Sequence, residues 1–164
     1  MGLHDQMTTL CIVPCGKRKI WDLSPDAGPQ PARNVYIGTF ATKCRRYAER
    51  FHGDAWAVLS AKHGFLFPDD LVPGPYETTF TCAATHPISP VDLARQAQEQ
   101  GIDRYSSLVV LGGKQYVSMV MKAVPEIPLS APLEGSAGIG VMIQRLNSAL
   151  SSGIPLDAVM STRD

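Results

Sequence analysis

The sequence predicts an α/β fold, a Rossmann-like three-layer sandwich around a mostly parallel sheet of four to five strands. Three observations predict it. Short apolar runs rich in β-branched residues, at Thr8–Val13, Ala55–Ala61 and Ser107–Leu111, read as buried strands. Amphipathic segments of helical period stand between and after them. No tight hairpin signal joins neighbouring strands, so helical crossovers and parallel pairing follow. A chain of 164 residues without repeats or a linker reads as one domain, its core at about residues 8–150 and its termini loose.

Taken in order, residues 1–7 are polar, and the first strand stops at Pro14. Cys15-Gly16-Lys17-Arg18-Lys19 follows directly. In open α/β sheets ligands sit just beyond the carboxyl ends of strands. A glycine there lets backbone N–H groups approach an anion, and Lys17 and Lys19 add point charge. The loop therefore reads as an anion site, most naturally for phosphate; the same residues also suit a solvated basic turn. It is no Walker loop, because Gly-x-x-x-x-Gly-Lys-Ser/Thr is absent.

Residues 21–34 carry Pro25, Gly28, Pro29 and Pro31 and predict a long irregular loop, with Trp21 as a lid residue or stacking platform. Thr39 is a candidate N-cap for a helix to about His52, with Phe40, Cys44, Tyr47, Ala48 and Phe51 inward. Trp56 in the second strand reads as core. Beyond that strand, residues 62–77 predict an irregular segment dense in functional side chains. Ser89, Pro90 and Asp92 form a helix start of cap, N1 proline and N3 acid, and the helix stops at Gly101.

After the third strand, Gly112-Gly113-Lys114 turns into a helix with Val117, Val120, Met121 and Val124 inward. This is a second place where an anion could meet a helix N-terminus, or simply a tight βα turn. A short fourth strand is expected within residues 127–130. Glu134-Gly135 then leads to a last helix striped by Ile139, Met142, Ile143, Leu146 and Leu150, with a frayed tail after Gly153. All these strand exits should share one sheet edge and form one composite site.

Net charge is zero, which argues against binding a polyanion by overall charge; contacts with nucleic acid would be local, through Lys17–Lys19 or Lys43, Arg45 and Arg46. No charged leader with an apolar core and no run of ~18 apolar residues is present, predicting a cytoplasmic protein with no membrane association and reduced cysteines. Cys11 and Cys15 on an extended strand would be ~13 Å apart, too far to share a zinc ion, so no metal or other cofactor is expected. His4, His52 and His86 read as surface residues.

Several segments together resemble a family of small bacterial and phage proteins catalogued as a domain of unknown function. They are Cys15-Gly16-Lys17, Tyr36-Ile37-Gly38, Leu59-Ser60-Ala61-Lys62-His63-Gly64-Phe65-Leu66, Pro75-Tyr76-Glu77-Thr78, Gly112-Gly113-Lys114-Gln115-Tyr116 and Pro132-Leu133-Glu134-Gly135. The resemblance spans roughly residues 9–147 and implies a Rossmann-like domain with no established activity. The family usually carries an aromatic residue, often tyrosine, where this chain has His63. More loosely, Tyr36–Phe40 is similar to nucleoside deoxyribosyltransferases, and the cysteine–lysine loop to a segment of tRNA-base-modifying enzymes.

Three chemistries fit this edge. The first is cleavage or exchange at a nucleoside or nucleotide N-glycosidic bond. Glu134 would serve as the carboxylate, Asp70 (or Asp69) as the acid, and Tyr36 or Tyr76 would stack on a base. The second is an activated Cys15 nucleophile with His63 or Lys62 as partner. The third is a non-catalytic module binding a nucleotide, nucleoside or nucleic-acid base. The ligand-binding set common to these is Gly16, Lys17, Lys19, Tyr36, Ser60, Lys62, His63, Tyr76, Gly112, Gly113, Lys114 and Gly135.

Overall fold

The computed structural model of the chain describes residues 8–156. Expectations for residues 1–7, His4 included, and for residues 157–164 lie outside the described residues.

In chain order the elements are β1 (Thr9–Pro14), α1 (Ile20–Leu23), β2 (Gln30–Pro31), α2 (Ala32–Val35), α3 (Thr39–His52), β3 (Trp56–Ser60), β4 (Gly64–Leu66) and β5 (Leu71–Val72). They continue with α4 (Pro90–Glu99), β6 (Ser107–Val110), α5 (Lys114–Ala123), β7 (Leu129–Ser130) and α6 (Ile139–Ser152). The main sheet has five strands in the order β4-β3-β1-β6-β7, and β2 and β5 form a separate two-stranded ribbon. Every pairing in the main sheet is parallel except β3 with β4.

Alternation along β1 builds the three layers. Cys11 and Val13 face one side and pack with Trp56, Val58, Val109, Tyr47, Ala48 and Leu146, so α3 and α6 cover that face. Leu10 and Ile12 face the other and pack with Ala57, Leu59, Val110, Leu93, Ala97 and Val120, which places α4 and α5 there. Strands buried on both faces are continuously apolar for this reason. The chain leaves β1 for β3 on one side and returns to β6 on the other, so strand order reverses at β1. The crevice beyond the carboxyl end of such a strand is where open α/β sheets hold ligands.

The structure corrects several expectations. Residues 21–34 are not one irregular loop, because α1, β2 and α2 all fall within or beside them. The prolines are accommodated at turns and at the ribbon's edge, where a missing N–H costs nothing. Trp21 is neither lid nor platform: it is buried, and its Nε1 donates to the Gly28 carbonyl at 2.8 Å. The segment after β3 is not irregular throughout. The chain turns through Ala61, Lys62 and His63 and returns as the antiparallel edge strand β4, with Gly64 at φ +76°. Gly38, not Thr39, is the N-cap of α3. Met121 and Ile139 are exposed, not inward. Past Gly153 the chain stays docked as far as Leu156, whose N–H donates to the Tyr47 hydroxyl at 2.9 Å. Among the described residues no helix is long and apolar enough to cross a membrane.

Candidate functional site

The loop after β1 is held by its backbone at both ends. The Cys15 N–H donates to the Leu59 carbonyl, and the Ile37 N–H to the Arg18 carbonyl. Lys19 then bridges to Tyr36, and its N–H donates to Asp22 Oδ2 at 2.9 Å, capping α1. Between these anchors, no acceptor among the described residues meets the amides of Gly16, Lys17 and Arg18. A Cβ built on Gly16 would stand 3.5 Å from Ala41 Cβ in the first turn of α3. The loop thus packs against a helix N-terminus whose partial positive charge adds to that of its cations.

This loop forms one wall of a cavity of about 860 Å³. Cys15, Gly16, Lys17, Arg18, Lys19 and Asp22 line it from this side, joined by Tyr116 and by Pro75, Tyr76, Glu77, Thr78, Thr79 and Thr81. The volume lies within the range of small-molecule sites.

Tyr76 is the hinge of its polar chemistry. Its hydroxyl stands 2.7 Å from Ser60 Oγ and 2.5 Å from the Tyr36 hydroxyl. Ser60 is fully buried, and its Oγ accepts from the N–H groups of Lys62 and His63. Above the Tyr76 ring lies the Lys19 ammonium, which also donates to the Lys17 carbonyl at 3.3 Å. Lys62 Nζ approaches the same ring at 5.9 Å, and the His63 ring meets its edge at 5.1 Å. Burial lowers the pKa of Lys19, against the opposing pull of Cys15, Asp22 and Glu77. Burial also raises the Tyr36 phenol, and lifts that of Tyr76 to about 12. His63 is pushed down by burial and by Lys62. Also in the lining, the Tyr116 hydroxyl donates to the Cys15 carbonyl at 3.1 Å and stands 3.3 Å from Cys15 Sγ. Gly112 at φ +124° allows this approach, since a Cβ there would meet Tyr116 Cδ2 at 3.2 Å and Pro14 Cβ at 3.4 Å.

The predicted set therefore gathers in part. Cys15, Gly16, Lys17, Lys19 and Tyr76 line the cavity, and Tyr36, Ser60, Lys62 and His63 stand directly behind or beside Tyr76. Gly112 supports Tyr116, while Gly113 caps α5 and Lys114 opens it, exposed and away from the cavity lining. Glu134 lies on a separate groove with Val117, Met121 and Leu129, and the exposed Gly135 follows it. Asp70 is exposed on the segment before β5, its Oδ2 accepting from the Phe67 N–H, and Asp69 pairs with Arg33. The carboxylates that do line the cavity are Glu77 and Asp22. Glu77 is not among the residues the sequence points to; its position directly after Tyr76 in the Pro75–Thr78 turn is the signal that marks it.

Comparison with known proteins adds kinship. The chain is 48% identical over 145 residues to an uncharacterized protein of Bacillus subtilis (strain 168), YfjM, covering 88% of this chain and 96% of that protein. No solved structure matches. Residues 10–148, which include every cavity-lining residue, match a single family description, and the chain belongs to that family of unknown function, DUF6884.

Proposed function

We propose that this chain binds a phosphorylated, base-containing ligand in the β1-edge cavity and cleaves or exchanges its N-glycosidic bond. One observation carries the reading: three consecutive cations and three unspent amides form one wall of a ligand-sized cavity, and a carboxylate, Glu77, stands in the same cavity. The phosphate docks on Gly16–Lys19, where successive N–H groups form a concave anion site. Glu77 supplies the negative charge that an oxocarbenium-like carbon requires, a role for which Glu134 and Asp70 stand in the wrong places. Glu77 and Lys19 line the same cavity, so anion site and carboxylate can serve one ligand.

A panel of nucleosides, nucleotides and modified bases, assayed chromatographically for free base, tests the reading. Release of base, lost in Glu77→Gln with nucleotide binding retained and unaffected in Glu134→Gln, is the expected result. Absence of release from every member, with nucleotides still raising the melting temperature, would make the chain a binding module instead. Cys15 lines the same cavity beside Tyr116, so release abolished by thiol alkylation but not by Glu77→Gln would move the chemistry to the cysteine.

A further inference from the structure

Charge is unevenly placed on this neutral chain. α3 and α6 cover one face of the main sheet, and the two helices together hold five cationic residues against one carboxylate, Glu49. That carboxylate is already engaged by Arg33 and Arg45. Lys43, Arg46 and Arg50 remain, and no carboxylate among the described residues pairs with them. At 3.6 residues per turn, positions 43, 46 and 50 fall within an arc of about 60° and form a stripe about 10 Å long. Arg46 and Arg50 are exposed and Lys43 is half-buried. Arg50 suits the carboxyl end of any helix, but Lys43 and Arg46, in the middle of α3, gain nothing from that end. None of the large exposed apolar residues lies on α3, so the stripe is not built to enter a lipid layer. It begins where the cavity loop is anchored. Gly38 caps α3, the Ile37 N–H donates to the Arg18 carbonyl, and a Cβ on Gly38 would stand 3.9 Å from Arg18 Cβ. The exposed Lys17 and Arg18 therefore sit at the amino end of the helix that carries the stripe.

We propose that the ligand of the cavity is one nucleotide of a single-stranded nucleic acid, whose flanking phosphates lie along Lys43, Arg46 and Arg50. The inference rests on the reading of the cavity given above and names its substrate as polymeric. A free nucleotide has no charge to place beyond the cavity. A strand carries a phosphate at every residue and is held by a cationic track outside the pocket. A stacked, paired base cannot enter a cavity lined by Cys15, Tyr76 and Tyr116, so the target nucleotide stands outside a duplex. Zero net charge is no obstacle, because the stripe supplies locally the field that the whole chain lacks.

Fluorescence anisotropy with a labelled single-stranded oligonucleotide of mixed sequence, as RNA and as DNA, tests this across a range of salt. Calorimetry with adenosine 5′-monophosphate runs beside it on the same full-length proteins. The stripe variant combines Lys43→Gln, Arg46→Gln and Arg50→Gln. A charge-matched variant combines Arg95→Gln, Arg104→Gln and Lys122→Gln, which lie away from α3. The stripe variant should bind the strand more than about tenfold more weakly at low salt, and its logarithmic salt slope should fall by about 2, for three lost phosphate contacts. It should bind the mononucleotide like wild type, which also shows that it is folded. The charge-matched variant should stay within about twofold of wild type for the strand. Should the triple stripe variant not fold, Arg46→Gln alone should lower the slope by about 0.7. If the wild type binds neither strand nor mononucleotide, the cavity reading and this inference both fall. If the mononucleotide binds while the strand binds no tighter, or the two triple variants bind the strand equally, the inference alone falls. Strand binding that survives Lys17→Ala unchanged would sever the stripe from the cavity and overturn it too.

Discussion

The Lys19 ammonium stands 4.4 Å from the centroid of the Tyr76 ring, joining the loop after β1 to the turn that closes the cavity. These residues are 57 positions apart in the chain, and the fold brings them together because β1 and β3 are parallel neighbours. Burying an ammonium here is expensive and is only partly offset by the ring, Asp22 and Glu77.

Replacing that ammonium should separate stability from binding. Lys19 has a lower pKa folded than unfolded, so its contribution to stability is full only above 10.5 and is lost as pH falls through the folded value. Lys19→Met should therefore stabilise the ligand-free protein at pH 7 by about 1 kcal/mol, while weakening phosphate binding. Its advantage should shrink as the pH approaches 10. Urea unfolding at both pH values measures this, and a less stable variant at pH 7 would contradict it.

His63 gives a pH dependence of its own at the acid end. Burial and Lys62 lower its pKa below 6.5, so its contribution is complete above 6.5 and is lost as pH falls through the folded value. His63→Tyr should lose less stability than the wild type between pH 7 and pH 5. Parallel slopes in chemical denaturation over that interval would show that His63 is not packed against Tyr76 and Lys62 as described.

Gly112 holds Tyr116 against Cys15. Gly112→Ala forces a side chain into φ +124° and against Tyr116 and Pro14, at a cost of about 1–3 kcal/mol. Displacing the ring should also open the thiol. In a Cys82→Ser background, which removes the exposed cysteine and leaves Cys11 and Cys44 buried, Cys15 should react faster with iodoacetamide in the alanine variant. An unchanged labelling rate would mean that Tyr116 does not shield it.

How much of this was legible in the sequence differs by element. The parallel strands and the long helices were, because continuous apolar runs and a 3.6-residue period are direct imprints of burial. The start of α4 was too: Ser89 Oγ accepts from the Asp92 N–H as the residue types require. The β3–β4 hairpin was hidden, since its turn is stabilised by two amides donating to the Ser60 side chain rather than by an Asn-Gly pair. Trp21 was misread because proline and glycine neighbours mark a chain reversal without saying which side chain the reversal buries.

In the candidate site, the place of the cationic loop was legible and the carboxylate that lines the cavity was not. Lys17 and Lys19 follow a strand directly, so topology alone puts them at the sheet edge. Glu134 follows a strand as well, but β7 is the outermost strand, two places from β1, and its exit falls on another groove. Glu77 follows Tyr76, whose hydroxyl is tied to Ser60 and Tyr36, a tertiary contact that no spacing rule encodes.

The central claim is that an anion sits on the backbone between Cys15 and Lys19. Titrating inorganic phosphate into 15N-labelled protein while following amide resonances tests it most directly. Saturable shifts of the Gly16, Lys17 and Arg18 amides, larger than those of Gly113 and Lys114, are the expected result. Shifts confined to the start of α5, or none at any phosphate concentration, would contradict it.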